Sequence, residues 1–259
     1  MKKPLFILIC GLGLLAGGCS KKTESVIQTP ADGAEKRVQL IASIFTAVNK
    51  HEYDSAQRLI RDFIDRYPSD AEAPSMKLMM ADVAYEQEHF AESYEAYRHF
   101  LEYFPAHQRA EYALYKAAHA KFNQANHVTC DSTPVEDALG ICREYLARKE
   151  YVQYRGQIED LLRTCERNLL DKELYIVNSY LNQQRYASAR NRLEYVAQKF
   201  DLSESGKDHY YFCCAKLARA ENDDASLARF VDDLHGEFPR SQFTAMADRL
   251  AGKRGLLFG

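Results

Sequence analysis

An apolar stripe that returns along the chain constrains the fold more than any other feature. Between residues 53 and 67 the apolar side chains follow the spacing i, i+3, i+4, i+7, i+8, i+11, which is one face of an amphipathic helix. They are Ala56, Leu59, Ile60, Phe63, Ile64 and Tyr67, and Pro68 ends the pattern. About 37 residues later the same spacing returns and stops at Pro105, with Ser93, Ala96, Tyr97, Phe100, Leu101 and Phe104. The chain therefore contains an internal repeat.

Two further copies extend the repeat toward the C-terminus. Residues 186–200 follow the template, except that Arg192 stands where Leu59 stood, and a degenerate copy ends at Phe238 and Pro239. Between the copies we expect partner helices at roughly 34–49, 71–87, 108–124 and 207–220. The period is close to the 34 residues of a tetratricopeptide unit. Because a single helix leaves its apolar face exposed, hairpins must stack to bury it. We predict an all-α tetratricopeptide-repeat solenoid of about five helix hairpins.

The middle of the chain is less regular. Asp131, Ser132 and Thr133 precede Pro134, which predicts a capped helix running to about Arg148. Residues 151–182 contain no proline and a single glycine, and they predict one long helix that links an N-terminal repeat block to a C-terminal one.

The N-terminus has the composition of a lipoprotein signal. Lys2 and Lys3 precede an apolar run of about eleven residues, and small residues at 16–18 lead into Cys19. The run is shorter than the roughly twenty residues of a membrane-spanning helix. We therefore expect cleavage before Cys19, lipidation of Cys19 and attachment to a membrane; a plain secretory signal with a chance cysteine is the alternative. Ser20 at the next position favours the outer membrane, and the polar residues 19–33 predict a flexible tether.

Charge and motifs narrow the functional class. The mature chain has 32 basic and 37 acidic side chains, which argues against a nucleic-acid partner and favours proteins or peptides. No HExxH motif or paired CxxC motif is present. A glycine-rich phosphate-binding loop is also absent, because the closely spaced Gly11 and Gly13 lie inside the signal. We expect neither catalysis, nor a cofactor, nor a metal site.

Five cysteines follow the lipidation site, and they cannot all pair: Cys130, Cys142, Cys165, Cys213 and Cys214. In a hairpin of helices 132–148 and 151–182, Cys142 and Cys165 differ in height by roughly 12 Å, which would exclude a bridge. Cys130 lies nearer the level of Cys165 and is the preferred candidate for a bridge to it, while the pairing of the five cysteines stays open. Burial as a thiol is expected for at least one of Cys213 and Cys214.

The order of these features resembles the BamD family, also called ComL-like lipoproteins, over residues 19–250. The resemblance rests on the lipobox, the polar tether, two repeats that end in Arg66-Tyr67-Pro68 and Tyr103-Phe104-Pro105, the helix start at 131–133, the linking helix and Asn191-Arg192-Leu193. It implies a non-enzymatic outer-membrane lipoprotein of the β-barrel assembly machinery that faces the periplasm. Its implied partners are the POTRA region of BamA, other assembly lipoproteins and unfolded outer-membrane proteins. The chain departs from the family pattern at Asp201, which follows Phe200 in place of proline.

The resemblance also suggests roles for individual residues. Tyr67 is matched to substrate recognition, with packing as its alternative, and Asn191 and Arg192 are matched to BamA contact. The residue pattern agrees for Arg192, since an arginine in an apolar stripe lies at the edge of the stripe or meets an acidic partner.

Aromatic and thioether side chains supply the remaining substrate-binding candidates, which are Met76, Tyr85, Tyr112 and Tyr115. Met76, Met79 and Met80 cluster on one predicted helix, and flexible thioethers suit a surface that accepts many sequences. Ordinary core packing is the alternative, and it is favoured for Met79 and Met80. We expect the concave side of the first two repeats to bind an extended, aromatic-rich peptide.

The resulting organisation is a signal peptide at 1–18, a lipidated tether at 19–33, an N-terminal repeat block at 34–125, a central repeat with the linking helix at 126–182 and a C-terminal block at 183–252. A scaffold or pilotin lipoprotein for a secretion, pilus or cell-wall system remains open as a second function, because it would share the anchor and the solenoid.

Overall fold

The computed structural model describes residues 30–125, 131–202 and 206–252, with side chains from residue 33 onward. All regular secondary structure in these ranges is α-helical, which confirms the predicted fold class. The helices are α1 (Pro30–Asn49), α2 (Tyr53–Arg66), α3 (Ala73–Glu86), α4 (Phe90–Tyr103), α5 (Ala110–Asn123), α6 (Thr133–Ala147), α7 (Arg155–Asn182), α8 (Tyr186–Lys199), α9 (Lys207–Ala220), α10 (Asp224–Glu237) and α11 (Gln242–Leu250). Consecutive helices from α1 to α10 make five hairpins, and α11 packs on α9 and α10.

The predicted signal peptide and Cys19 lie outside the described residues. Of the predicted tether, only residues 30–33 are described, and they form the first turn of α1. The first helix thus begins four residues before Ala34. The chain divides into two compact units, Met1–Gln39 and Leu40–Gly259. In the first, the Gln39 amide donates a hydrogen bond to the Glu35 carboxylate at 3.2 Å.

The buried apolar side chains of the second unit form a series of cores between successive hairpins. Ile44, Ile60 and Phe63 join Met76 in a core of α1, α2 and α3. The largest core extends from α3 to the first half of α7 and ends at Leu169. The next begins at Leu170, and a last one joins α9, α10 and α11. Each helix buries its stripe against sequence neighbours, as a solenoid requires.

Four hairpin turns share one backbone conformation. His51, Glu88, Gln184 and Asn222 each have φ between 57° and 61°. The next amide in each turn donates to a carbonyl five residues earlier, as from Glu52 to Ala47 and from His89 to Ala84. This is the Schellman ending of a helix, with a left-handed residue in the position that glycine usually takes. The turns are thus fixed by main-chain hydrogen bonds, although none of the four residues is glycine.

Helices α2, α4 and α10 share one kind of ending, which α8 does not have. Tyr67, Phe104 and Phe238 end α2, α4 and α10 with φ near −130° and ψ near 53°, and a proline follows each. Phe200 ends α8 with φ −108° and ψ 139°, and Asp201 follows it. The substitution of aspartate for proline therefore coincides with a different exit of the chain from α8.

The long linking helix is confirmed, but it begins at Arg155 rather than near Tyr151. Because α7 begins four residues later than predicted, Cys165 lies about 6 Å closer to the start of the helix, at 1.5 Å per residue. The predicted separation of Cys142 and Cys165 is accordingly wrong, since their two thiols form a hydrogen bond.

Candidate functional site

Tyrosine side chains from three elements meet on one face of the N-terminal half. Tyr112 and Tyr115 lie one turn apart on α5, and the ring of Tyr154, just before α7, stacks on that of Tyr115 with centroids 4.4 Å apart. The centroids of Tyr112 and Tyr154 are 6.0 Å apart. Tyr85 of α3 lies beside them, and all four side chains are half-buried, so that ring edges remain available. We call these four residues the tyrosine surface.

A lysine lies within this surface. The Lys116 ammonium is 3.4 Å from the centroid of the Tyr85 ring, a cation–π contact. Its ion pair with Glu86 is long, at 3.9 Å, and only 14% of the Lys116 side chain is exposed. Burial lowers the pKa of Lys116 against the opposing effect of Asp82. The Asn123 amide donates to the Tyr85 hydroxyl at 3.0 Å and fixes the ring under the ammonium.

His119 lies one turn further along α5, where its ring meets that of Tyr115 edge to face at 4.7 Å. The Nε2 atom is buried and has no hydrogen-bond partner. Burial lowers the pKa of His119, and the Lys116 charge lowers it further. The tyrosine surface thus contains a partly desolvated ammonium and a neutral imidazole.

Asp82 of α3 holds the base of this surface. Its carboxylate accepts hydrogen bonds from the hydroxyls of Tyr97 at 2.6 Å and Tyr112 at 2.9 Å, and the Arg109 guanidinium approaches at 3.4 Å. Burial and the negative charge of Asp82 raise the pKa values of both phenols. One carboxylate therefore ties together α3, α4 and α5.

A second carboxylate positions Tyr154. Glu111 of α5 accepts from the backbone N–H of Gln153 at 2.5 Å and from the Tyr145 hydroxyl. The Tyr145 hydroxyl in turn accepts from the Tyr154 N–H at 3.0 Å. Glu111 thereby anchors the connection between α6 and α7, and this orients Tyr154 toward Tyr115.

Three of the predicted substrate-binding residues are brought together here: Tyr85, Tyr112 and Tyr115. Sequence reasoning missed Lys116 and His119, although both share the α5 face of Tyr112 and Tyr115 by their i+4 and i+7 spacing. It also missed Asp82 and Tyr154. No sequence pattern could have identified Tyr154, because hydrogen bonds to Glu111 and Tyr145 fix its position.

Met76 is not part of this surface. It is 1% exposed and packs with Ile44, Ile60 and Phe63, so the prediction that it contacts substrate is wrong. Met79 and Met80, for which core packing was favoured, are half-buried and pack against the same core. Helix α3 is covered by α2 on one side and α4 on the other, and sequence periodicity did not distinguish these sides.

Tyr67 ends α2 and packs on Phe63 with ring centroids 5.3 Å apart. It is half-buried in the core of α1, α2 and α3, and Phe104 packs on Phe100 in the same way one repeat later. Tyr67 therefore has a packing role, and it is not among the residues gathered around Lys116.

The predicted partner residues lie on α8. Asn191 is exposed, whereas Arg192 donates to the Glu173 carboxylate of α7 at 3.0 Å. The exposed fractions of these two side chains are 33% for Arg192 and 15% for Glu173. Arg192 thus meets its acidic partner within the chain, which the sequence did not foresee. Tyr195 lies beside its guanidinium at 5.5 Å and is partly exposed.

Cysteine positions are also corrected. Cys142 and Cys165 are buried free thiols, and their hydrogen bond lowers the pKa of Cys142 and raises that of Cys165. The free thiol of Cys165 contradicts its predicted bridge to Cys130, which itself lies outside the described residues. Cys213 and Cys214 are both buried free thiols, as expected for at least one of them.

Across the described ranges, no cluster of three or more His, Cys, Asp or Glu side chains could hold a metal ion. None of the helices described there is both long and apolar enough to cross a membrane. What the site offers is flat rings with exposed edges, one ammonium and fixed hydrogen-bonding groups.

Comparison with known proteins gives the family. The model of the YfiO family, described as outer membrane lipoprotein, matches residues 34–226. The chain belongs to this family. The described helices and the matched region coincide from α1 to the start of α10. Membership makes the chain an outer membrane lipoprotein.

Solved structures similar to this family member include a tetratricopeptide repeat protein from Parabacteroides merdae, at 16% identity and TM-score 0.39, covering 85% of this chain and 75% of that one. Another is pilF of Pseudomonas aeruginosa, at 16% identity and TM-score 0.35, covering 83% of this chain and 98% of that one.

Proposed function

We propose that this lipoprotein serves the outer-membrane β-barrel assembly machinery, where it receives unfolded barrel proteins and docks on BamA. The observation that carries the proposal is the tyrosine surface around Lys116. Strands of outer-membrane barrels alternate apolar and polar residues and carry aromatic residues at the membrane interfaces. A row of half-buried rings binds such strands with little dependence on sequence, because each ring offers a large, rigid contact area.

Lys116 supports binding of a chain end in particular. Its ammonium is partly desolvated, lies over the Tyr85 ring and makes a long ion pair with Glu86. A carboxylate, such as that of the C-terminal strand of a barrel protein, would complete its coordination through a charge-assisted hydrogen bond. We assign this role to the N-terminal block, residues 34–125, together with Tyr154, whereas Tyr67 and Met76 are left to packing.

We assign docking on BamA to the C-terminal block, residues 183–252, through Asn191, Arg192 and the exposed part of Tyr195. The Glu173 carboxylate holds the Arg192 guanidinium at the surface. An acidic group of the POTRA region can bind the donors that Glu173 leaves free, since a guanidinium has five. The central segment, residues 126–182, joins the two blocks and offers surface for other assembly lipoproteins.

The anchor in this proposal is Cys19, lipidated and placed in the outer membrane so that the repeats face the periplasm. Several acyl chains hold a domain on a membrane far longer than one chain does. A Cys19→Ala chain should lose acyl label and become an uncleaved or soluble periplasmic species; unchanged labelling and fractionation would contradict the anchor.

The binding proposal is tested by site-specific photocrosslinking in cells. A photoreactive phenylalanine at position 85 or 115 should capture the C-terminal segment of unfolded barrel proteins. The matched control is position 103, where an exposed tyrosine lies on α4 outside the tyrosine surface. Equal capture at positions 103 and 115 would overturn the assignment.

Affinity isolation from detergent-solubilised envelopes distinguishes the machinery. BamA should be the main co-isolated protein. A secretin or a peptidoglycan enzyme in its place would move the chain to the scaffold or pilotin function.

A further inference from the structure

A cleft of about 490 Å³ lies between α6, the middle of α7 and the end of α8. This volume is within the range of ligand-binding pockets. Its floor is apolar and is formed by Leu139, Leu162, Leu169, Leu170 and Phe200. Leu169 is the last residue of the largest core, and Leu170 is the first residue of the next one. Phe200 packs against both cores. The cleft therefore marks the junction of two cores.

The unusual ending of α8 accompanies this cleft. Where α2, α4 and α10 end, a proline follows and the residue after it takes part in a tight turn to the next helix. Phe200 instead has extended backbone, and both Phe200 and Asp201 line the cleft. The opening is thus a local departure from the repeat.

Basic side chains outnumber acidic ones in the lining of the cleft. Arg143 of α6, Arg163 and Arg167 of α7 and Lys199 of α8 line it, against the acidic residues Glu166 and Asp201. Arg143 pairs with the exposed Glu166 at 3.5 Å and Arg163 with the exposed Asp160, whereas Arg167 pairs with the half-buried Asp171 at 3.1 Å. Exposed pairs of this kind contribute little and are readily exchanged for a better partner.

We propose that this cleft is a docking site for an extended acidic segment of a partner protein, in which apolar side chains are flanked by carboxylates. The apolar floor takes the apolar side chains. The cations come from three helices around the opening, and Arg163 and Arg167 lie one turn apart, so they fit a row of carboxylates better than a single anionic group. Guanidinium groups bind carboxylates through two parallel hydrogen bonds, which fixes the register of the segment. The site is separate from the tyrosine surface and does not depend on the function proposed above.

The test measures fluorescence anisotropy of a labelled peptide with blocked ends, in which Phe and Leu alternate with Asp-Glu pairs, added to the full chain in detergent. Two comparison peptides replace either the apolar residues by Ser or the acidic residues by Gln. The first peptide should bind at least tenfold more tightly than either comparison peptide. The double variant Arg143→Glu/Arg163→Glu should weaken its binding at least tenfold.

The matched control carries the same charge change outside the cleft, as Arg61→Glu/Arg240→Glu, at two exposed positions. Its affinity should stay within twofold of the unmodified chain. If the reversal beside Glu166 impairs folding, Arg143→Gln/Arg163→Gln removes the two charges without adding repulsion, and a loss of about fivefold is expected.

If the control variant weakened peptide binding as much as the cleft variant, the effect would come from net charge alone and the proposed site would be wrong. Equal affinity for the peptide with Ser in place of Phe and Leu would remove the role of the apolar floor and overturn it as well. Vesicles of phosphatidylglycerol address the competing occupant: binding to vesicles that depends on Arg143 and Arg163, without binding of the peptide, would make the cleft a lipid site and contradict the proposal.

Discussion

At the residue scale, a few half-buried polar groups determine how the helices around the tyrosine surface meet. Asp82 accepts two phenolic hydroxyls, and one of them belongs to Tyr97, which is fully buried. A buried hydroxyl that loses its hydrogen-bond acceptor stays desolvated without a partner, and this lowers the free energy of unfolding.

Removing Asp82 should therefore destabilise the fold more than removing either phenol. We expect Asp82→Ala to lower the free energy of unfolding by about 2 kcal/mol and Tyr97→Phe by about 1 kcal/mol. Urea unfolding measures both, with Tyr103→Phe as the exposed control, expected within about 0.5 kcal/mol of the parent. A larger loss for Tyr97→Phe than for Asp82→Ala would contradict the central role of the Asp82 carboxylate.

His119 should make stability depend on pH. Its pKa in the fold lies below the ordinary value because of burial and of Lys116. As the pH falls through about 6.5, the unfolded chain therefore takes up the proton first, and stability is lost toward the lower pKa of the folded state.

We expect the fall in unfolding free energy between pH 7.5 and 5.5 to be smaller in His119→Phe than in the parent. The variant also removes the unpartnered Nε2 atom, so it should be no less stable at pH 5.5. Exposed His99, changed to Phe, is the control and should retain the parental pH dependence. A parallel pH profile in the His119 variant would contradict the assignment.

The internal ion pair of Arg192 with Glu173 and its proposed contact with BamA can be tested separately. Arg192→Glu places a like charge beside Glu173 and should cost about 1 kcal/mol of stability. The double exchange Arg192→Glu/Glu173→Arg restores the internal pair and should recover that loss without recovering BamA binding. Arg190→Glu tests the neighbouring pair with Glu221, at 2.6 Å, and should leave BamA binding intact. Recovery of binding by the double exchange would return Arg192 to a structural role.

These residues show where sequence reasoning succeeded and where it stopped. Residue type singled out Tyr112 and Tyr115 as candidates, whereas the spacing that places Lys116 and His119 on the same face of α5 was overlooked. The core position of Met76 and the internal pair of Arg192 were not predicted because other helices determine them: Met76 points into a core shared with α1 and α2, and Arg192 pairs with a carboxylate on α7.

At the scale of elements, the close contact of α9 with α7 depends on one glycine. Gly206 precedes α9 with φ 80°, and a β-carbon there would lie 2.4 Å from Leu170 Cδ2. Gly206→Ala therefore combines backbone strain with a steric clash and should cost about 1–3 kcal/mol.

Gly140 provides the opposite case. It lies within α6, and a β-carbon there would meet nothing within 4 Å. Gly140→Ala should stabilise the chain by about 0.5–1 kcal/mol, because alanine favours the helix and restricts the unfolded state. Thermal unfolding of the two variants should give shifts of opposite sign; shifts of the same sign would contradict the different roles of the two glycines.

The helices themselves were largely predictable. Apolar spacing placed α2, α4 and α8 to within a residue or two, and proline marked the ends of α2 and α4, since both signals are local. The start of α7 was misplaced by a turn because Glu111 and Tyr145, which hold residues 153 and 154 outside the helix, are distant in sequence. That one turn explains why the predicted separation of Cys142 and Cys165 was too large, although both are free thiols, as the absence of a bridge between them required.

At the scale of the whole molecule, the separation into successive cores predicts that a substitution in one core destabilises mainly the helices of that core. Leu174 is fully buried in the core that joins α7, α8 and α9. Leu174→Ala should cost about 2–5 kcal/mol. Since repeats contact mainly their neighbours, hydrogen exchange should accelerate in α8 and α9 while α3 keeps its protection.

Ile60→Ala is the matched deletion in the core of α1, α2 and α3. It should give the reverse pattern, with faster exchange in α2 and α3 and little change in α9. Uniform acceleration throughout by either variant would indicate that the cores unfold as one cooperative unit.

The shared geometry of the hairpin turns also affects how such a chain can change in evolution. His51, Glu88, Gln184 and Asn222 have little chemistry in common, yet each ends its helix with the same main-chain hydrogen bonds. A turn specified by the backbone leaves its side chain free to mutate and lets whole hairpins be duplicated or exchanged without redesigning the joints. Lineages of this architecture can therefore acquire new binding surfaces by copying a hairpin and altering its exposed face.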